Sequence, residues 1–230
     1  MKFTTSIIDL TNCPVPPSTE TYTAVPHIDL HNKVVDILGQ RGIDIIHQEF
    51  KVNRSCKQAI GVYHLDMGDS EFNGMLAWRN SYDKTRSVAI VSGCSVWICS
   101  NGAVVGEMKF LHKHTGNVDE LFVEAIEEQV DKIQFSIDST RELKDKLSAK
   151  LVDGKEFGSI IGNLYLLDLL NTSQLEIIKK EINEPSYEYG SPTNSLWTLF
   201  NHITHSLKIA HPSSYFETHI NLVNYFKQFN

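Results

Sequence analysis

Between residues 43 and 99 lie four β-rich runs, Ile43–Val52, Ala59–Met67, Phe72–Asn80 and Ser87–Cys99, separated only by short polar or glycine-containing links. That spacing constrains the fold more than any other feature of the chain. A parallel connection needs a crossover of a dozen or more residues, and Arg54-Ser55-Cys56-Lys57 and Met67-Gly68-Asp69-Ser70 are too short to supply one. The runs must pair as antiparallel neighbours through hairpins. Asn101-Gly102, where both residues tolerate positive φ, predicts a further hairpin that returns the chain through Val104 to Phe110 as a fifth strand. A short helix starting after Cys99 is the competing reading of that segment.

The flanks read differently. Phe3 to Leu10 suggests a short strand, followed by a proline-rich arm from Cys13 to Thr19 that closes at Pro26. Leu30, Val34, Ile37 and Leu38 recur at helical spacing, with Gly39 as a stop. From Asn117 the period changes to helical: Phe122, Ile126, Val130, Ile133 and Ile137 mark one face, and Leu143, Leu147 and Leu151 continue it beyond a kink expected near Ser139-Thr140. Phe157 to Leu170 is apolar nearly all round and predicts a buried helix. Ser173 with Glu176 predicts a capping box, Ser195 to Lys208 another helix, and Ser214 with Glu217 a cap for the last one. The organisation expected is an arm over 1–26 and a single α+β domain over 27–230, β-rich over 40–115 and helical over 117–230. In it an antiparallel β-sheet in the N-terminal half is packed by a long helix and a helical C-terminal half.

No apolar run approaches the length of a membrane span, and Met1-Lys2-Phe3-Thr4 opens no signal-peptide apolar region, so a cytoplasmic protein with no membrane partner is expected. Cys13, Cys56, Cys94 and Cys99 are too scattered for a disulfide scaffold and read as small buried hydrophobes in a reducing compartment. The net charge of −7 argues against a globally basic nucleic-acid binder. Residues 41 to 114 nonetheless hold nine Lys/Arg against seven Asp/Glu, a mildly basic block in an acidic chain.

Three segments resemble a known family. Asn80-Ser81-Tyr82-Asp83-Lys84-Thr85 is similar to an Asn-Ser-His-Asp-Gly-Ser segment. Val96-Trp97-Ile98-Cys99-Ser100-Asn101-Gly102, followed by His114-Thr115-Gly116-Asn117, is similar to a Val-Arg-Ile-Val-Cys-x-Asn-Thr-Leu run with a later His-Thr-Gly. Trp197-Thr198-Leu199-Phe200-Asn201-His202-Ile203-Thr204 is similar to Trp-x-Leu-x-Asn-Ala-x-Thr. These are segments of the phage/plasmid-like protein family, domain of unknown function 932. Tyr82 stands where that family usually has His, and Gly102 where it usually has Thr. The resemblance implies a phage, prophage or plasmid setting and no established reaction.

Candidate functional residues fall into three groups. Asn80, Asp83, Asn101, His114, Asn201 and Thr204 are polar residues in or beside apolar elements, and they predict either a shared cleft network or separate turn and capping roles. Trp78, Arg79, Tyr82, Lys84, Arg86, Lys109 and Lys113 interleave aromatic and basic residues as a single-stranded nucleic-acid surface does, with core aromatics and solvated lysines as the plainer reading. His112, His114, His202 and His205 supply metal-ligand chemistry in pairs, but neither pair makes a complete ligand set, so no metal or other cofactor is expected. No phosphate-binding glycine loop or nucleophile elbow occurs. The expectation is a non-enzymatic phage or mobile-element accessory protein that binds single-stranded nucleic acid through a mildly basic sheet surface and acts as a homo-oligomer. The alternatives are capture of a nucleotide-like small molecule or a host defence protein in a polar cleft, and a metal-dependent enzyme.

Overall fold

Strands β1 (Ile45–Val52), β2 (Gln58–Leu65), β3 (Phe72–Ser81) and β4 (Val88–Val96) form an antiparallel meander in sequence order. The computed structural model describes residues 6–20, 22–96, 102–103, 109–111, 118–190, 192–211 and 214–229. The outer edge of β4 is shared. Cys94 and Ser95 pair with β5 (Gly102–Ala103), while Val88 to Ile90 pair with β6 (Lys109–Leu111). Residues 104–108, most of the fifth strand expected from Val104 to Phe110, lie outside the described residues.

Alternation along the strands gives the sheet two faces. Phe50, Tyr63, Leu76, Trp78, Val88 and Ile90 face the main core, built with helices α2 (His27–Gln40), α3 (Val118–Asp131), α4 (Ile133–Ala149) and α7 (Leu196–Ser206). Gly61 lies opposite Trp78 in the register, and a Cβ there would meet the indole at 2.7 Å. The glycine makes room for the tryptophan. Ile60, Val62, Met75, Ala77 and Val91 form the other face, closed by Ala210, Tyr215 and Phe216 at the start of α8 (Tyr215–Lys227). Both faces of the sheet are thus buried by the chain itself.

A side chain also completes β4. Between the stretches paired with β5 and β6, the Ser92 N–H and hydroxyl both donate to Gln129 Oε1 of α3, at 2.8 and 3.0 Å. A buried strand amide is thereby satisfied by a side chain.

The α+β architecture agrees with the sequence, and several local expectations are corrected. Ile8–Thr11 is a helical turn, α1, where a strand was expected. Helix α2 runs through Gly39, and positive φ is taken by Gly42. The break in the long helix falls at Lys132, not at Ser139-Thr140, where α4 is continuous and the Ser136 and Thr140 hydroxyls donate to carbonyls four residues earlier. Helix α5 (Gly154–Leu166) buries only Ile160 and Leu164 and exposes Tyr165 and Leu166, so its apolar sequence does not make it interior. The capping box of α6 (Thr172–Asn183) is Asn171 with Gln174, two residues before the predicted pair. Ser214 makes no side-chain cap for α8, and Glu217 pairs instead with Arg79 at 2.6 Å.

Candidate functional site at the hairpin end of the sheet

In an antiparallel meander, alternate hairpin loops emerge at the same end. Here Gln58 of β2 lies opposite Ser81 of β3, which sets the β1–β2 loop beside the β3–β4 loop. The two are tied together by Asp83. Its Oδ1 accepts from the Ser81 hydroxyl at 2.5 Å, the Thr85 hydroxyl at 2.6 Å and the Thr85 N–H at 3.1 Å, and its Oδ2 accepts from Gln58 Nε2 at 2.9 Å. Burial alone would raise its pKa, but those bonds outweigh it and hold the carboxyl down at about 2. Lys84, next in the chain, has φ +61°. That is a backbone conformation glycine adopts at least cost.

Behind the loops sits a closed polar junction. The Asn80 amide donates to the Val25 carbonyl at 2.7 Å and meets His27 Nδ1 at 3.0 Å, while its Oδ1 accepts from the Ser81 N–H at 2.8 Å. Those bonds fix the amide's orientation, so His27 Nδ1 must be an acceptor and Nε2 carries the proton it donates to the Cys56 carbonyl at 3.2 Å. The Tyr82 ring stacks on the His27 ring at 3.9 Å, and its hydroxyl accepts from the His27 N–H at 2.8 Å. Burial pushes His27 down to about 4, only partly offset by the Cys56 carbonyl. The histidine is a neutral structural pin joining the start of α2 to both loops.

On the outside the same two loops present Arg54, Lys57, Lys84 and Arg86, all exposed. Lys84 Nζ lies 4.5 Å above the Tyr22 ring, and Arg86 stands 3.9 Å from Glu217, a carboxylate already held by Arg79. Among the described residues Arg54, Lys57 and Lys84 make no ion pair. At the opposite end of the sheet the β2–β3 loop carries Asp66, Asp69 and Glu71; Asp69 is paired with Arg141, and Glu71 with Lys144. The sheet therefore carries exposed cations at one end, while at the other two of the three carboxylates are neutralised by ion pairs. Arg54 and Lys57 escaped the sequence reading, although the meander itself predicts that their loop shares an end with Lys84 and Arg86.

The remaining sequence candidates are distributed otherwise. Trp78 is fully buried, with its indole N–H donating to the Tyr63 hydroxyl at 2.9 Å. Arg79 is interior on the face closed by α8, and Tyr82 is committed to His27. These three form no stacking surface, because neither face of the sheet is open. The strand placement of Lys109 is described, on β6; Asn101, His112, Lys113 and His114 lie outside the described residues. Asn201 donates to the Trp197 carbonyl at 2.9 Å, and the Thr204 hydroxyl to the Asn201 carbonyl at 3.1 Å, both inside α7. Neither of these two bonds involves Asn80 or Asp83. His202 packs edge-on to Tyr189, and His205 lies 3.7 Å from Glu181. Among the described residues no group of three or more His, Cys, Asp or Glu is placed to hold a metal ion.

A second polar line was not anticipated. Ser95 Oγ is 2.8 Å from His64 Nδ1, and His64 Nε2 is 3.4 Å from Glu49 Oε1. Burial raises the Glu49 pKa, but the His64 hydrogen bond and the charges of His64, His47 and Lys208 outweigh it, so the carboxylate is held below its usual range. With Nε2 protonated toward Glu49, His64 is set to accept the Ser95 proton, the relation found in nucleophile–base pairs. Ser95 and His64 are nevertheless closed in the core, at 1% and 2% exposure. Strand alternation placing Glu49, His64 and Ser95 on one face was the signal available in the sequence. On the other side of β1, an open groove of about 500 Å³ is lined by His31, Val35, Ile45, Ile46, His47 and Gln48.

This architecture defines an α+β protein whose two adjacent hairpin loops are locked from behind and charged in front. The chain belongs to the DUF932 family, a domain of unknown function, whose family model matches residues 18–214. No curated protein matches it, and no solved structure does. Among the described residues no helix is long and apolar enough to cross a membrane.

Proposed function

We propose that this protein is a non-enzymatic accessory protein of a phage or mobile element that holds the phosphate backbone of nucleic acid at the basic rim formed by Arg54, Lys57, Lys84 and Arg86. The observation that carries the reading is the β2–β3 register, which brings four exposed cations from two loops onto one end of the sheet while Asp83, the carboxylate among them, is occupied by four internal hydrogen bonds. Cations on loops whose neighbouring aromatics, Tyr22 and Tyr82, are buried suit contacts that do not depend on sequence. The resemblance of three segments to the phage/plasmid-like family supports the setting. A homo-oligomer would repeat the rim and multiply individually modest contacts.

The test is fluorescence anisotropy of a labelled single-stranded oligonucleotide at low salt, against the native chain and a Lys84→Glu, Arg86→Glu variant. The native chain is expected to bind and the variant to bind at least tenfold more weakly. No binding by the native chain at low salt rejects the proposal.

A further inference from the structure

Helix α5 turns most of its surface to solvent. Of its thirteen residues only Ile160 and Leu164 are buried, with Phe157 and Ile161 partly covered beside them. On the opposite side Gly154, Gly158 and Gly162 recur every four residues, and Leu166 continues that ridge at 79% exposure. Tyr165 and Leu167 stand exposed beside it. A Cβ added at any of the three glycines would meet no atom within 4 Å, so the chain's own packing does not call for them. Glycine is also the poorest helix former after proline. A backbone recess and a projecting apolar end therefore share one open face. Lys155, near the start of the helix, and Asp168, just past its end, are exposed and make no ion pair among the described residues.

We infer that α5 is the contact between two copies of this chain, packed antiparallel about a two-fold axis that passes midway between Gly158 and Gly162. In that arrangement Leu166 of each copy lies over Gly154 of the partner subunit, and the glycines let the two backbones approach closely, ridge into groove. The occupant follows from self-complementarity. The helix carries both the projecting leucine and the recess that receives it, at opposite ends, and a two-fold joins them twice. Charge agrees with that choice. Antiparallel packing brings Lys155 of one copy toward Asp168 of the partner subunit, and sets each positive helix N-terminus beside a negative C-terminus. A thirteen-residue helix is about 20 Å long and about 10 Å across. That footprint is at the small end of specific interfaces, so the dimer is expected to form in the micromolar range and to dissociate on dilution.

The proposed function invokes a homo-oligomer without placing its interface. The α5 contact rests on that reading only for the dimer's purpose, which is to present two basic rims, whereas the contact itself does not.

Sedimentation velocity of the full-length chain across the micromolar range tests the contact. The native chain is expected to pass from monomer to dimer, and Leu166→Glu should weaken the dimer roughly tenfold or more. Gly158→Leu fills space that is open in the single chain, so it should leave thermal stability equal or higher while weakening the dimer as much. Lys155→Asp and Asp168→Lys should each weaken the dimer about fivefold, since symmetry removes two exposed pairs, and the double variant should recover it. A native chain that stays monomeric, a dimer untouched by Leu166→Glu and Gly158→Leu, or a double charge variant no better than the single ones would overturn the inference. The same samples are then titrated with the labelled oligonucleotide. A monomer that binds it rejects the contact and leaves the rim standing, while a dimer that binds none rejects the rim and leaves the contact.

Discussion

Lowering the pH from 7 to 4 should destabilise the fold through His27, and the amount follows from its surroundings. The ring is fully buried, stacked on Tyr82, and its Nδ1 faces the Asn80 amide nitrogen, so a second ring proton would confront a donor. Turning the Asn80 amide to meet it would break the bonds to Val25 and Ser81. The folded-state pKa is accordingly lowered from 6.5 to about 4. Between those values the unfolded chain binds the proton and the folded chain does not, so stability falls as pH falls through this window and levels off below it. The depression corresponds to roughly 3 kcal/mol, a large share of the 5–15 kcal/mol typical of a domain. The assay is urea denaturation from pH 7.5 to 4 on the native chain and a His27→Gln variant. The variant carries a pH-independent cost but loses this titration, so its stability should decline less steeply between pH 6.5 and 4, by about 3 kcal/mol over the window. His31, His202, His205 and His211 are also lowered by burial, but they titrate in both proteins and cancel in the difference. Parallel pH dependences would refute the neutral-pin assignment.

Other expectations concern packing, charge and the rim. Gly61→Ala places a methyl against the Trp78 indole and should destabilise by about 1–3 kcal/mol in chemical denaturation. Glu217→Ala removes the carboxylate facing buried Arg79 and should cost about 3 kcal/mol, against under 1 kcal/mol for Arg86→Ala, which is exposed. Lys84→Gly relieves the positive φ and should leave thermal stability equal or raise it by about 0.5–1 kcal/mol, while weakening nucleic-acid binding. Losses in both measurements would contradict its assigned role.

The meander was legible because link length alone forbids parallel connections, and the core face was legible from alternation through Tyr63, Leu76 and Trp78. Asn80 and Asp83 were visible as polar interruptions, and Asp83 proved to have the turn role. Asn80 was not assignable, since its partners Val25 and His27 come from the far side of the proline-rich arm. Trp78 and Arg79 misled for a specific reason. Neighbours on a strand face opposite sides, and such a pair looks the same whether the sheet faces water or helices; here Trp78 lies in the main core and Arg79 on the face closed by α8, some 140 residues later. The Ser95–His64–Glu49 line was hidden similarly, because its members come from three strands whose register no single segment encodes.

The most direct test of the basic rim is the salt dependence of oligonucleotide binding. Four cations contacting a single strand predict a slope of log affinity against log salt near −3, falling by about 0.7 for each cation removed from Arg54, Lys57, Lys84 and Arg86 in turn. A slope near zero, or one unchanged when all four are replaced by alanine, would contradict the account.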